Sequence, residues 1–354
     1  MLFKFMDEFL EGKGSHCYCS IDDNEASEFS SSSLYKRGNL FRRNNVVRRR
    51  KMNENVRWSD CSCVNCVSWM RNAGEELKLH VVVKEPERAN AQHFKGKKAE
   101  NIVFLHGFLS SSSFWIETIF PNLSEDANKK YRLFAVDLLG FGKSPKPNNC
   151  LYTIKDHVEM IESSVIHPFE LNSIHIVAHS MGCVVALALA AKHSHSVKSI
   201  TLIAPPYITS TKEDVSLTAL NKLAARRLWP PLLFGSSFMS WNLHFMAIDL
   251  TRHTHHSAWH TMHNVICGGA KFMDKYLETL TLAKVKINVI QGSKDQVVPV
   301  ECSNNVKMKV PDAEVKIVDN AHHTSIVIGR EKDLCDDLEE LWGSQYVRNG
   351  NSTS

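Results

Sequence analysis

The stretch IHIVAHSMGCVVALALAA, Ile174 to Ala191, decides the fold. Its first half is a short apolar run of strand type. Its second half, from Met181, is apolar almost all round, as a buried helix is. Between them sits Ser180, with Ala178 two residues before it and Gly182 two residues after. A sharp strand-to-helix turn that presents a serine leaves little room, so both flanking positions must be small. Alanine stands at the first of them, where glycine is usual. The helix that follows aims the partial positive charge of its N-terminus at the serine's reaction centre.

Outward from this turn the same alternation recurs. Strand-type runs are expected at Leu77 to Val83, Asn101 to Leu105, Tyr131 to Val136, Val197 to Ile203, Val285 to Ile290 and Ala313 to Val318. Helical stretches lie between them, notably Met181 to His193 and Ile326 to Trp342. Short apolar strands alternating with helices predict an α/β chain, with a mostly parallel sheet covered by helices on both faces. From Tyr207 to Leu282 the alternation is interrupted by a helical segment rich in Trp, Phe, Met and His. It is read as a helical cap inserted between two strands. Residues 1–74 differ in kind, with a serine run (Ser30 to Ser33) and a basic run from Lys36 to Arg57, and are expected to be a poorly ordered or peripheral extension. The expected division is therefore extension 1–74, α/β domain 75–345 with its cap at about 207–282, and a disordered tail at 346–354.

A serine hydroxyl is a poor nucleophile without a base, a carboxylate that orients the base, and donors for the oxyanion. The strand at Val285 to Ile290 leads to Gln291-Gly292-Ser293-Lys294-Asp295, and Asp295 is the expected acid. The last strand leads to Ala321-His322-His323. One of these histidines is the base: His323 is favoured and His322 is the alternative, because a shift of one residue turns the ring away. The backbone N–H groups of Phe108, after His106-Gly107, and of Met181 are the expected oxyanion hole. The order Ser, Asp, His is that of the α/β-hydrolase fold. A small-x-Ser-x-Gly motif alone is common by chance; the coincidence of ordered parts at strand ends carries the reading. Gly142-Lys143-Ser144 imitates a phosphate loop, but Asp137 stands where that loop needs its first glycine. An epoxide hydrolase or dehalogenase would place Asp where Ser180 stands.

These segments resemble the plant BODYGUARD-like α/β hydrolases: HGFLSSSSFW (His106 to Trp115), AVDLLGFGKSPKP (Ala135 to Pro147), VAHSMGCVVALALA (Val177 to Ala190), LIAPPY (Leu202 to Tyr207), SAWHTMHN (Ser257 to Asn264), VPVECS (Val298 to Ser303) and IVIGREK (Ile326 to Lys332). RWSDCSCVNCVSWM (Arg57 to Met70) is similar to the segment that precedes the hydrolase domain there. The resemblance implies a lysophospholipase or related esterase acting in cuticle and cutin formation in plant epidermis, at the cell wall. Two departures accompany it. The extension lacks the apolar N-terminal segment of a secreted member, which bears on localisation. The cap is short between Trp241 and Trp259, which bears on substrate fit. Acyl transfer in cutin assembly and a non-catalytic ligand-binding or signalling role are the alternative functions.

The remaining composition narrows the partners. A hydrophobic fraction of 43% supports a large core, and a net charge of +4 does not by itself imply a nucleic-acid partner, so none is expected. No run approaches the roughly 18 apolar residues of a membrane span, and Asp7 and Glu8 interrupt Met1 to Leu10, so no signal peptide is expected. The expected partner is a small lipid or acyl ester, with peripheral membrane or cell-wall association open and no cofactor. Trp229, Phe234, Phe238, Met239, Trp241, Phe245, Met246, Trp259 and Met262 are candidates for an acyl pocket or for the cap's own core. His253, His255, His256, His260 and His263 are dense, but no acid or cysteine accompanies them closely, so no metal is expected. Cys17, Cys19, Cys61, Cys63 and Cys66 fit disulfide or other structural use better than zinc or palmitate, whereas Cys150, Cys183, Cys267, Cys302 and Cys335 are expected to be small buried apolar residues. The basic run is read as a solvated tail.

Overall fold

The computed structural model describes residues 77–87, 100–147, 149–208, 244–250, 252–269 and 272–343. The N-terminal cysteines, the basic run, the tail, the candidates Trp229 to Trp241 and the side chains of Phe245 and His255 lie outside the described residues.

Seven strands form one sheet: β1 (Val81–Lys84), β2 (Glu100–Leu105), β3 (Tyr131–Val136), β4 (Ile174–His179), β5 (Val197–Ile203), β6 (Lys286–Gly292) and β7 (Glu314–Val318). Their order is β1-β3-β2-β4-β5-β6-β7. β1 runs antiparallel to β3 and every other pair is parallel. Every residue of β2 and of β4 is buried, as strands covered on both faces must be. The chain order reverses between β2 and β4: β3 lies to one side of β2, and all later strands lie to the other. At such a switch point the loops leaving the two strands diverge and open a crevice.

Two apolar layers cover the sheet. On one face, α3 (Ile154–Ile161), α4 (Met181–Lys192), α7 (Met273–Leu282) and α8 (Val300–Lys309) bury Val158, Ile161, Val185, Leu189, Leu277, Leu280 and Val306. On the other, α1 (Ser113–Thr118), α2 (Glu125–Lys130) and α9 (Glu331–Gly343) bury Phe114, Trp115, Ala127, Leu334, Leu338 and Trp342. Ten of the twelve residues of α4 are buried, which explains its lack of a polar face. The long helix expected from Ile326 starts only at Glu331, because Gly329 takes φ 83° and ends the preceding turns. Ile326 and Val327 are fully buried within those turns.

The segment read as a cap, 207–282, includes α7, which packs on α4 over the sheet and so belongs to the core layer, a correction to the expected cap end. Its other described elements are α5 (His244–Asp249) and α6 (His255–Thr261), and α6 widens into a π-helical segment, Met262–Cys267. Thr254 and Ser257 close a capping box that starts α6. Backbone carbonyls of the β3–α3 connection then receive α6. Ser257 Oγ donates to Gly140 O (2.9 Å), His256 Nε2 to Cys150 O (2.9 Å) and Asn264 Nδ2 to Leu151 O (2.5 Å). Gly140, at φ 90°, is required here, since a Cβ would come within 2.7 Å of Ser257 Cβ and of the Tyr152 ring. α5 docks through Asp249, whose buried carboxylate accepts Ser111 Oγ–H at 2.7 Å to each oxygen. No helix among the described residues is long and apolar enough to cross a membrane.

Candidate active site

Ser180 sits between β4 and α4 at φ 53°, ψ −122°. This left-handed conformation costs a non-glycine residue roughly 1–3 kcal/mol and persists only where its surroundings enforce it. They do so from both sides. Ser180 N–H donates to Ile203 O (2.8 Å), and Cys183 N–H returns to Ser180 O (2.9 Å). Gly182 passes so close to β2 that a Cβ there would lie 2.5 Å from His106 O and 2.8 Å from Leu105 O. The small residue that the turn demanded is therefore set by contact with the neighbouring strand's backbone.

The structure brings Ser180, Asp295 and His323 together. Ser180 Oγ is 3.0 Å from His323 Nε2, and His323 Nδ1 is 2.8 Å from Asp295 Oδ2. Asp295 is built into its turn: Oδ1 accepts the N–H groups of Val297 and Val298, each at 2.8 Å, and Gln291 Nε2 reaches Oδ2 at 3.2 Å. Burial alone would raise its pKa. The His323 bond and charge and the two N–H donors outweigh it and hold the carboxyl below its usual range. Asp295 thus stays ionised and accepts the His323 Nδ1 proton, which leaves a lone pair on Nε2 toward the serine. His322, the alternative candidate for the base, is exposed, and its backbone N–H donates to Ser325 Oγ (2.8 Å).

The loops bearing Asp295 and His323 are registered by their backbones. Lys294 N–H donates to Ala321 O (2.9 Å), and a Cβ on Gly292 would meet that same oxygen at 2.4 Å. Across the crevice, His106 is fully buried, accepts Leu138 N–H at Nε2 (2.9 Å) and faces Gly107 O from Nδ1 (2.7 Å). The loop bearing Phe108 is thereby fixed to the end of β3. Asp137 tightens the same joint by accepting Ser112 N–H (2.6 Å) and Lys143 N–H (2.7 Å).

Phe108, Ser180 and Met181 share one pocket with Pro206, Ile208, Met262, Ile266, Val297, Val298, Pro299 and Cys302. Apart from Ser180, every one of these side chains is apolar. Of the sequence candidates for an acyl pocket, Met262 lines it; Trp259 instead packs on His263, with ring centroids 4.5 Å apart. The histidine cluster is a packing unit. His256 and His260 lie 4.3 Å apart, and burial together with His256 pushes His260 down to about 4. Among the described residues no group of three or more His, Cys, Asp or Glu is placed to hold a metal ion.

Several site residues were not singled out from sequence. His106, Asp137 and Gln291 act through buried bonds to backbone, and a lone polar residue carries no local sign of that. Ile266 follows Met262 by four residues on one helical track, which is a readable signal. Ile208, Val297 and Cys302 join the pocket from separate segments and carry none.

Residues 100–328 match a family model described as the alpha/beta hydrolase fold. Among curated proteins, Probable lysophospholipase BODYGUARD 4 of Arabidopsis thaliana is 44% identical, across 97% of this chain and 92% of that protein. BODYGUARD 5 of the same plant is 41% identical, across 97% and 91%. The solved enol-lactonase of Burkholderia xenovorans LB400 has a TM-score of 0.55 at 18% identity, covering 75% of this chain and 96% of its own. An esterase of Exiguobacterium antarcticum has a TM-score of 0.54 at 21% identity, covering 77% and 96%. The solved structures share the fold, and the identity over nearly full length decides the branch: the chain belongs to the BODYGUARD-like proteins of the α/β-hydrolase fold.

Proposed function

We propose that this hydrolase-fold protein is a serine esterase that cleaves carboxylic esters of lipid type, with lysophospholipids as the first class to test. The observation that carries this is the bonded line Asp295–His323–Ser180 opening onto an apolar pocket. His323 Nε2 takes the Ser180 proton as Oγ attacks the ester carbonyl. Met181 and Phe108 N–H groups receive the oxyanion, and the imidazolium, held by Asp295, protonates the leaving alcohol. Water, activated by the same histidine, then frees the acid from the acyl-enzyme. The pocket contributes apolar cover for the acyl chain, about 0.8 kcal/mol per buried CH₂. We take residues 75–345 as the catalytic unit, and cutin formation as its setting, as the resemblance to BODYGUARD proteins implies.

The test is labelling of the full chain by a fluorophosphonate probe, with fatty-acid release from lysophosphatidylcholine measured alongside. Wild type should label and turn over, and Ser180→Ala should do neither while remaining folded. Full turnover by Ser180→Ala would refute the proposal. Adding a hydroxy-fatty-acid alcohol as acceptor separates hydrolysis from acyl transfer by product.

A further inference from the structure

Directly before the nucleophile stands His179, the last residue of β4, which is 5% exposed. Its Nε2 lies 3.0 Å from the backbone carbonyl of His323, across 144 positions of sequence. A carbonyl only accepts, so Nε2 carries the hydrogen and donates it. The ring is held on its other sides. Phe114, from α1, stacks on it with centroids 5.1 Å apart and planes 23° apart. Gly107 abuts its edge so closely that a Cβ there would lie 3.0 Å from His179 Nδ1. The imidazole of His323 sits 4.8 Å away, tilted by 43°.

We propose that His179 is a positioning residue for His323: its single N–H fixes the main chain from which the base projects, and its clamped ring registers that loop on the one that supplies the Phe108 N–H. The inference rests on the reading of Ser180, Asp295 and His323 as the catalytic set. Its physical need is plain. His323 leaves a loop rather than a helix or strand, yet its ring must meet Asp295 and Ser180 at once. Rotation of the 323 peptide would swing the ring off one of them, and the His179 N–H restrains that rotation. The device also requires a neutral His179, because the base becomes a cation beside it during the reaction. Burial, with His323 nearby, keeps it so by pushing its pKa down to about 3. Donor and tautomer are therefore unchanged over any working pH.

Full-chain His179→Phe, which keeps the stacked ring and removes the N–H, should be compared with His179→Gln, which keeps an N–H donor and removes the ring. On a short-chain p-nitrophenyl ester, His179→Phe should lose about 10–100-fold in kcat and in fluorophosphonate labelling rate, as a misplaced reacting group does. KM should change less than about twofold, because no substrate contact is lost. His179→Gln should recover at least several-fold of the loss. Wild-type kcat and labelling in His179→Phe overturn the proposal, and so do equal losses in both variants, which would mark a packing role alone. Should His179→Phe fail to fold, His179→Leu against His179→Gln makes the same comparison. Absence of labelling in wild type, or labelling at an unchanged rate in Ser180→Ala, would instead overturn the parent reading.

Discussion

Replacing Asp295 by Asn tests the centre of the site with almost no change of shape. The new amide can enter two ways. With its oxygen in the Oδ1 place it keeps both backbone donors, Val297 and Val298 N–H, now at 2.8 Å. Reversed, it sets an NH₂ against those two N–H groups and strands both, at about 1–3 kcal/mol each. The first arrangement therefore wins. Its NH₂ then faces His323 Nδ1, where the carboxylate oxygen stood at 2.8 Å. The imidazole must accept there, so its proton moves to Nε2, and Ser180 Oγ meets a hydrogen where it needs a lone pair. A triad carboxylate turned to amide loses about 10⁴-fold in kcat, or about 5.5 kcal/mol at about 1.4 kcal/mol per decade. Folding should be nearly untouched, because Gln291 Nε2 still has Val298 O at 3.0 Å and the turn keeps its N–H bonds. Steady-state hydrolysis of a p-nitrophenyl ester, with a thermal melt on the same sample, checks both halves. An Asp295→Asn enzyme that melts like wild type and turns over within about tenfold of it would refute the role of Asp295 as the orienting acid.

Two further substitutions probe the frame. Gly182→Ala should cost about 2–3 kcal/mol in urea denaturation, because its Cβ meets main chain at 2.5 Å and 2.8 Å and only a shift of α4 against β2 can relieve it; wild-type stability would show that the approach is looser than described. Asp249→Asn should change stability in a pH-dependent way. Burial is the leading cause of its raised pKa, with Asp137 adding to the rise, while Ser111 and Arg252 oppose it, and the value reaches about 6. The native state thus holds this proton more tightly than the unfolded chain does. That stability is complete below about pH 3.8 and is lost as pH rises through about 6, on the order of 3 kcal/mol in all. The Asp249→Asn protein should therefore melt several degrees above wild type at pH 8 and level with it at pH 4; a lower melting point at pH 8 would overturn the assignment.

What could be read from sequence follows the physics of each part. Strands β2 to β6 announce themselves because burial on both faces makes them short continuous apolar runs. Ser180 follows the run of β4 and Asp295 that of β6, whereas His323 follows the largely exposed β7 and is singled out only by the Ser, Asp, His order. The first strand is less readable. His80 keeps the bond from Asp137 N–H, but its own N–H goes to Ser144 Oγ, whose hydroxyl in turn takes Asp137 O, so the pairing there is incomplete and the ladder begins only at Val81, although Leu77 to His80 have strand-like composition. Ile326 and Val327 look like the start of a helix, yet they are buried turn residues, and nothing local distinguishes the two uses. The bond from His179 to the His323 carbonyl joins distant segments and has no local signature.

The wide turn at Met262–Cys267 has a meaning for how such a pocket can diversify. A π-helical turn carries one residue more than the α-helix around it would need. Met262 and Ile266, which both face Ser180's pocket, bracket most of that surplus. Losing a single residue here would restore regular winding and change which side chains of this turn face the pocket, while α6 stayed bonded to Gly140 and Cys150 upstream. The roof over the serine is thus the place where a length change, rather than a substitution, is the smallest step to a different substrate.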